Sequence, residues 1–235
     1  PPINSTHMVK IFDTTPREGL QTPFGVGASL QERLCTIQLL DKLTDIIEVG
    51  MPANPNDQET IRQAKQHVNN AQLAALIRLH PTDIKAAIEQ FDHYHNSMAH
   101  VFIGTSNEHK NTLGKNGMTC QDQIDLISKH IPHLAPHFKD IMFSPEDGVR
   151  AAQQNPEHFF ATLQAAYNAH PQIIFNIPDT TAISNVSNYL DLLKKIKHKF
   201  PNTPISVHQH NDRNNATAQA VEAGKQELCD IVQGC

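Results

Sequence analysis

Two histidines one residue apart, His208 and His210, lie in the stretch PISVHQHND, which has the pattern of a β-strand. Side chains two apart on a strand point to the same side, about 6.5–7 Å apart along the chain. The two imidazoles can therefore meet at one cation, with ring nitrogens about 2 Å from it. With 15 histidines in 235 residues, such a pair also arises without any ligand role, and the spacing alone does not decide. Asp212 follows at once, as suited to orient a ligating imidazole as to ligate. Near the other end of the chain, IFDTTPREGLQ brings Asp13, Arg17, Glu18 and Gln21 to the end of a second strand-like run. Glu18 offers the oxygen that two imidazoles need to hold a divalent ion, and Arg17 a fixed cation for a developing oxyanion. The plain alternative for Arg17–Glu18 is an exposed ion pair of little consequence. One carboxylate and two imidazoles suit zinc, manganese, cobalt or iron, with magnesium common in oxygen-rich variants.

These residues meet only if the elements that carry them close on one another. Strand-like runs recur as MVKIFDTT, DIIEVGMP, AQLAALIRL, AHVFIGTS, DIMFSPED, IIFNIPDT, PISVHQH and LCDIVQG. Segments with helical periodicity fall between them: SLQERLCTIQLLDKLT behind an N-cap-like Ser29, NDQETIRQAKQHV, PTDIKAAIEQF, QDQIDLISKHIPHL, PEHFFATLQAAYNA, VSNYLDLLKKIKHKF and NATAQAVEAG. Eight apolar strands alternating with seven helices predict a parallel sheet covered by helices, and in this length a (β/α)8 TIM barrel ending after the eighth strand. Five strand ends are polar: DTTPRE, GTSNEH, SPED, NIPDT and HQHND. Active sites of such barrels are built at the C-terminal ends of the strands. Closure also places the first strand beside the eighth, near the histidine pair.

Composition narrows the class further. The chain carries 24 Asp+Glu against 19 Lys+Arg, with a formal net charge of −5, and no long run of either sign. That balance argues against a nucleic-acid footprint or a membrane-surface patch. The longest apolar runs are strand-sized, too short to span a bilayer, and no signal sequence is recognisable. Cys35, Cys120, Cys229 and Cys235 show no zinc-finger spacing, which fits free thiols in a reducing cytoplasm. PPINSTHM, residues 1–8, is read as a tail or cloning remnant, leaving 9–235 as one catalytic domain.

Five motifs, in order and each at a strand end, resemble those of the 2-isopropylmalate synthase and homocitrate synthase family of DRE-TIM metallolyases. DTTPREGLQ is similar to that family's DTTLRDGEQ, and HVFIGTS to its HTFIATS. FSPED and NIPDT are identical to the family's motifs, and SVHQHND is similar to SVHCHND. The resemblance runs from about Val9 to Cys235 and is closest to the barrel of a 2-isopropylmalate synthase. It implies that Glu18, His208 and His210 bind a divalent metal (zinc, manganese or magnesium). Arg17 would stabilise an enolate or alkoxide, and Gln21 would line the site. His100, Ser144, Asn176 and Thr180 would contact a small 2-oxo acid, with Glu146 serving acid–base chemistry. The implied reaction condenses acetyl-CoA with the oxo acid, 2-oxoisovalerate first and pyruvate second, as in leucine biosynthesis. The metal would polarise the ketone, and holding both substrates together would supply proximity.

Several positions depart from the pattern. Glu18 stands where isopropylmalate synthases have Asp, although homocitrate synthases use Glu. Leu20 resembles the RDGLQ of hydroxymethylglutaryl-CoA lyase, which keeps a carbon–carbon lyase open alongside citramalate and homocitrate synthases. The segment after Asp212 is about three residues short, close to one helical turn. Leu76 and Met142 align with a His and an Arg of homocitrate synthases, where a second substrate carboxylate would find its cations. Without them a dicarboxylate would lose about 2–5 kcal/mol. The family also implies a homodimer, a helical subdomain and a leucine-sensing domain beyond these residues. An Asn of NGxGERAGN, after the eighth strand, approaches the metal there, so 235 residues alone are expected to turn over weakly or not at all.

Overall fold

The structure, a computed structural model, describes residues 8–19, 27–112 and 118–234. The tail is outside them except for Met8, which is exposed. Eight parallel strands close into a barrel in sequence order: β1 (Lys10–Asp13), β2 (Ile46–Glu48), β3 (Gln72–Arg78), β4 (Ser97–Gly104), β5 (Asp140–Glu146), β6 (Ile174–Asp179), β7 (Ile205–Gln209) and β8 (Ile231–Gly234). Closure is direct, with Lys10–Asp13 paired in register to Ile231–Gly234. The predicted helices form the outer ring: α2 (Leu30–Leu40), α3 (Pro55–His67), α4 (Pro81–Phe91), α6 (Cys120–Leu134), α8 (Pro156–Ala169), α9 (Val186–Lys199) and α10 (Ala216–Lys225). Three short helices were not expected from periodicity: α1 (Thr15–Glu18), α5 (Asn107–Thr112) and α7 (Gly148–Gln154). Each follows a polar strand end and helps build the face where the candidate residues lie. Among the described residues, no helix is long and apolar enough to cross a membrane.

Helix starts follow the local chemistry. Ser29 and Glu32 form a reciprocal capping box at α2, and Thr119 and Asp122 form another at α6. Asn54 and Asn155 each cap a backbone N–H at helices whose first residue is proline, where the missing N–H costs nothing.

Two layers of packing account for the site's position. Between the sheet and the helices lies a continuous apolar core with Phe143, Phe159, Phe175, Tyr189 and many Ile and Val side chains. Inside the barrel, Phe12, Ile46, Ala74, Met98, Met142, Ile174 and Ile231 form a separate buried plug. Side chains alternate along a strand, so the residues two further on also face inward: Leu76, His100, Ser144, Asn176 and Gln233 line the barrel mouth, and Glu48 is buried against Arg17 and His100. The interior thus changes from apolar to polar within one repeat of the pleat, which closes the barrel below and opens it for chemistry above.

Gly50, just past β2, adopts φ +140°, a conformation L side chains rarely take. A Cβ there would stand 2.8 Å from Cβ of Asp57. That Asp accepts the Met51 N–H at 3.0 Å and pairs with Arg33 at 3.3 Å. Gly50→Ala is expected to cost about 1–3 kcal/mol, measured by urea unfolding; unchanged stability would show that the turn relaxes without strain.

Candidate active site

The mouth holds a cavity of about 270 Å³ whose walls include Arg17, Glu18, His100, Ser144, Glu146, Asn176, Thr180, His208 and His210. Nine of the ten expected site residues therefore share one cavity. The tenth, Gln21, lies outside the described residues.

Strand β1 ends at Asp13, whose carboxylate accepts the Thr15 N–H at 2.8 Å and starts the short turn of α1. Pro16 is buried in that turn. The turn brings Arg17 and Glu18 to the wall of the mouth cavity. Glu18 accepts from Thr14 Oγ1 at 3.1 Å and from Arg17 Nη2 at 3.2 Å. Opposite, at the end of β7, His208 Nε2 and His210 Nε2 lie 3.2 Å apart. They stand 3.9 Å and 3.4 Å from the two Glu18 oxygens. One ligand atom from each of the three lies within 4.8 Å of the others, close enough to surround a single small ion. Asp212 does not join them: it is exposed in the loop beyond β7, and among the described residues the cluster holds those three alone.

Charge state fits a ligand role. Burial pushes the His208 imidazole down to about 4, against the pull of Glu18 and with help from His210, Arg17 and His100. Its lone pair is therefore available near neutral pH, as a ligand requires. Burial works against charge on Glu18, but His208, Arg17, His210 and the Thr14 hydroxyl outweigh it and hold the carboxyl below its ordinary range. An oxygen anion and two nitrogen donors form a donor set that a borderline divalent ion accepts.

A second network crosses the mouth through a residue that sequence reasoning missed. Glu48, wholly inaccessible to solvent, bonds Arg17 Nε through Oε2 and His100 Nδ1 through Oε1, the latter at 2.6 Å. His100 Nε2 then meets Ser144 Oγ at 2.6 Å, and Asn176 Nδ2 donates to the same hydroxyl at 2.7 Å. One proton assignment satisfies the row: Nδ1–H donates to Glu48, the hydroxyl donates to Nε2 and accepts from the amide. Burial opposes a charge on Glu48, yet Arg17 and His100 hold its carboxyl at about 2. The available signal was a lone Glu inside the apolar run DIIEVGMP, an expensive placement without a cation.

The HMGL-like family model matches residues 8–235, almost the whole chain. The chain belongs to the HMGL-like family. The 2-isopropylmalate synthase of Crocosphaera subtropica is 36% identical over 231 residues, covering 94% of this chain and 42% of that protein. Its counterpart from Rhodopirellula baltica is 33% identical over 240 residues, with 98% and 44% covered. The chain spans less than half the length of these curated relatives. Among solved structures, the HMG-CoA lyase of Bacillus subtilis superposes with a TM-score of 0.75 at 19% identity, covering 97% of this chain and 76% of that one. Hydroxymethylglutaryl-CoA lyase from Pseudomonas aeruginosa gives 0.70 at 16%, with the same coverage. At such identities the likeness is one of fold.

One expectation for this HMGL-like barrel needs correcting. Leu76 lines the mouth cavity, but Met142 does not: it is wholly buried in the apolar plug, one pleat repeat below Ser144. Substrate selection at the mouth therefore cannot be assigned to Met142 by contact. Met51, Phe102 and Pro178 complete an apolar wall that sequence reasoning did not name.

Replacing Glu48 with Gln keeps the shape but leaves Arg17 facing a neutral amide. The expected loss is about 3 kcal/mol at pH 7. Glu48's carboxyl is depressed in the folded state, so this stabilisation is full above the ordinary value of 4.5 and lost as pH falls through about 2. Urea unfolding should show the E48Q deficit shrinking between pH 4.5 and pH 2; an equal deficit at both would contradict the network.

Proposed function

We propose that this barrel binds a divalent metal through Glu18, His208 and His210 and supports the condensation of acetyl-CoA with a 2-oxo acid. The preferred oxo acid in this reading is 2-oxoisovalerate, giving 2-isopropylmalate. The observation that carries it is the convergence of the three ligand side chains on the cavity that also holds Arg17, Ser144 and Asn176. The names of the curated relatives point the same way.

A bound divalent ion would supply Lewis-acid polarisation of the ketone oxygen. The protein's own residues do the remaining work. Arg17 presents a fixed cation to the oxygen on which negative charge develops, and Glu48 keeps that guanidinium in place. Ser144 and Asn176 orient the oxo acid, with Thr180 on the same wall. Glu146 moves the proton: a methyl hydrogen leaves acetyl-CoA as a proton, the enolate carbon bonds to the keto carbon, and the alkoxide is protonated. Water then cleaves the thioester, releasing CoA as the thiol. A cavity of about 270 Å³ is at the small end for ligand sites, so it suits a small acid and the reacting end of CoA, not the whole cofactor.

Leu76, Met51 and Phe102 favour an apolar tail on the acid over a second carboxylate. A desolvated carboxylate without a partner costs about 2–5 kcal/mol, so 2-oxoisovalerate should exceed 2-oxoglutarate in kcat/KM by at least about 30-fold. CoA release, followed with a thiol reagent over a panel of 2-oxo acids, tests this on the chain and on any longer polypeptide containing it. Release should require 2-oxoisovalerate and stop with chelator. Preference for 2-oxoglutarate would overturn the substrate, and cleavage of 3-hydroxyacyl-CoA without condensation would overturn the reaction in favour of a lyase.

A further inference from the structure

On its β4–β5 side the cavity ends at Glu146 and a group of ionisable side chains behind it that the chemistry above leaves unused. Glu146 closes β5 with its side chain 28% exposed, and His109 of α5 stands beside it, Nε2 3.7 Å from Glu146 Oε1. The other ring nitrogen is held from behind: Nδ1 lies 3.4 Å from Asp147 Oδ2 and 3.1 Å from Ser106 Oγ. Asp147 is almost wholly buried and also pairs with Arg150 Nε at 3.1 Å. Its backbone sits at φ +56°, a left-handed turn that Asp tolerates better than most residues, with its N–H given to Thr180 Oγ1 at 3.0 Å.

The backbone beneath this group is built for close approach. Gly104 pairs in register with Glu146. A Cβ on Gly104 would stand 2.8 Å from Cβ of His109 and 3.4 Å from Glu146 Oε2, so any other residue there would push the imidazole aside. Gln123 fixes the Gly104 carbonyl at 2.6 Å, and Thr105 donates to the Glu146 carbonyl through both its N–H and its hydroxyl. Both strand ends are thus pinned while the ring fits over the gap.

We propose that His109 is a positioning residue for Glu146: clamped by Asp147 and Ser106, its imidazolium fixes the Glu146 carboxylate at the cavity wall and sets the pH range over which that carboxylate can accept a proton. The charges around the ring agree. Glu146 and Asp147 face it from the β5–α7 junction. Arg150 of α7 stands behind Asp147 and is partly engaged by Glu108 at 3.6 Å. The His109 imidazole is raised above its ordinary value by the bond to Asp147, against burial, with the charges of Glu146 and Asp147 adding and Arg150 subtracting. This deepens the reading of Glu146 as the proton-moving group and rests on it only for the catalytic consequence.

Carboxyl-carbon NMR of Glu146 and ring-nitrogen NMR of His109 test the coupling directly, without turnover. In the parent protein the His109 resonances should sense the titration of Glu146. In His109→Gln the midpoint of the Glu146 titration should move up by about one pH unit, since an opposite charge at this range favours the carboxylate. Gly104→Ala, which keeps the imidazole but displaces it, should move the midpoint the same way. The acidic limb of kcat/KM for CoA release should follow, with KM for the oxo acid little changed. A folded H109Q with an unmoved Glu146 titration would reduce His109 to a structural tie and overturn the proposal, as would a parent His109 blind to Glu146. If a longer polypeptide containing this chain releases no CoA from any 2-oxo acid while the NMR coupling holds, the functional reading fails and the pairing stands.

Discussion

A carboxylate buried without solvent contact has to be neutralised by its neighbours, and Glu48 imposes that requirement on the whole mouth of the barrel. Its two oxygens bind Arg17 and His100, so a single side chain on β2 ties the turn after β1 to the row of polar groups on β4, β5 and β6. Arg17 in turn contacts Glu18. The orientation of the carboxylate that faces the two histidines is therefore set from the barrel interior as well as by the fold of its own short helix. Such a buried ion network contributes little net stability compared with an apolar core. What it supplies is a fixed arrangement of charge.

The switch from plug to mouth follows from the pleat. Seven apolar side chains from seven strands fill the lower interior, and one repeat higher the same strands present Glu, Leu, His, Ser, Asn and Gln. Residues that look scattered along the sequence are thus neighbours because closure of the barrel gathers the inward-facing positions above the plug around one cavity. His100, Ser144 and Asn176, up to 76 residues apart by number, share one hydrogen-bonded row.

Much of this was legible in the sequence. Strand and helix periods were strong because the strands are apolar on both faces and the long helices begin with clear caps such as Ser29. The short helices α1, α5 and α7 were not, since four to seven residues give too little period to register, and Thr-Pro-Arg-Glu reads as a polar loop until the turn is seen. The HxH spacing placed His208 and His210 correctly on one side of a strand. Glu48 escaped notice because its partners lie 31 and 52 residues away, and only three-dimensional closure brings them to it. The depth of Met142 was not legible: the resemblance aligns it with an Arg, and an alignment does not give a side chain's level inside the barrel, where Met142 is buried in the plug.

The account depends on Glu18, His208 and His210 acting together on one ion, and cobalt(II) titration of the metal-stripped chain, followed by its visible absorption, measures that most directly. One cobalt per chain should bind with a spectrum of mixed nitrogen and oxygen ligation, and Glu18→Ala, His208→Ala and His210→Ala should each weaken it by at least about 100-fold. A parent chain that binds no cobalt, or binding that all three substitutions leave intact, would contradict the account.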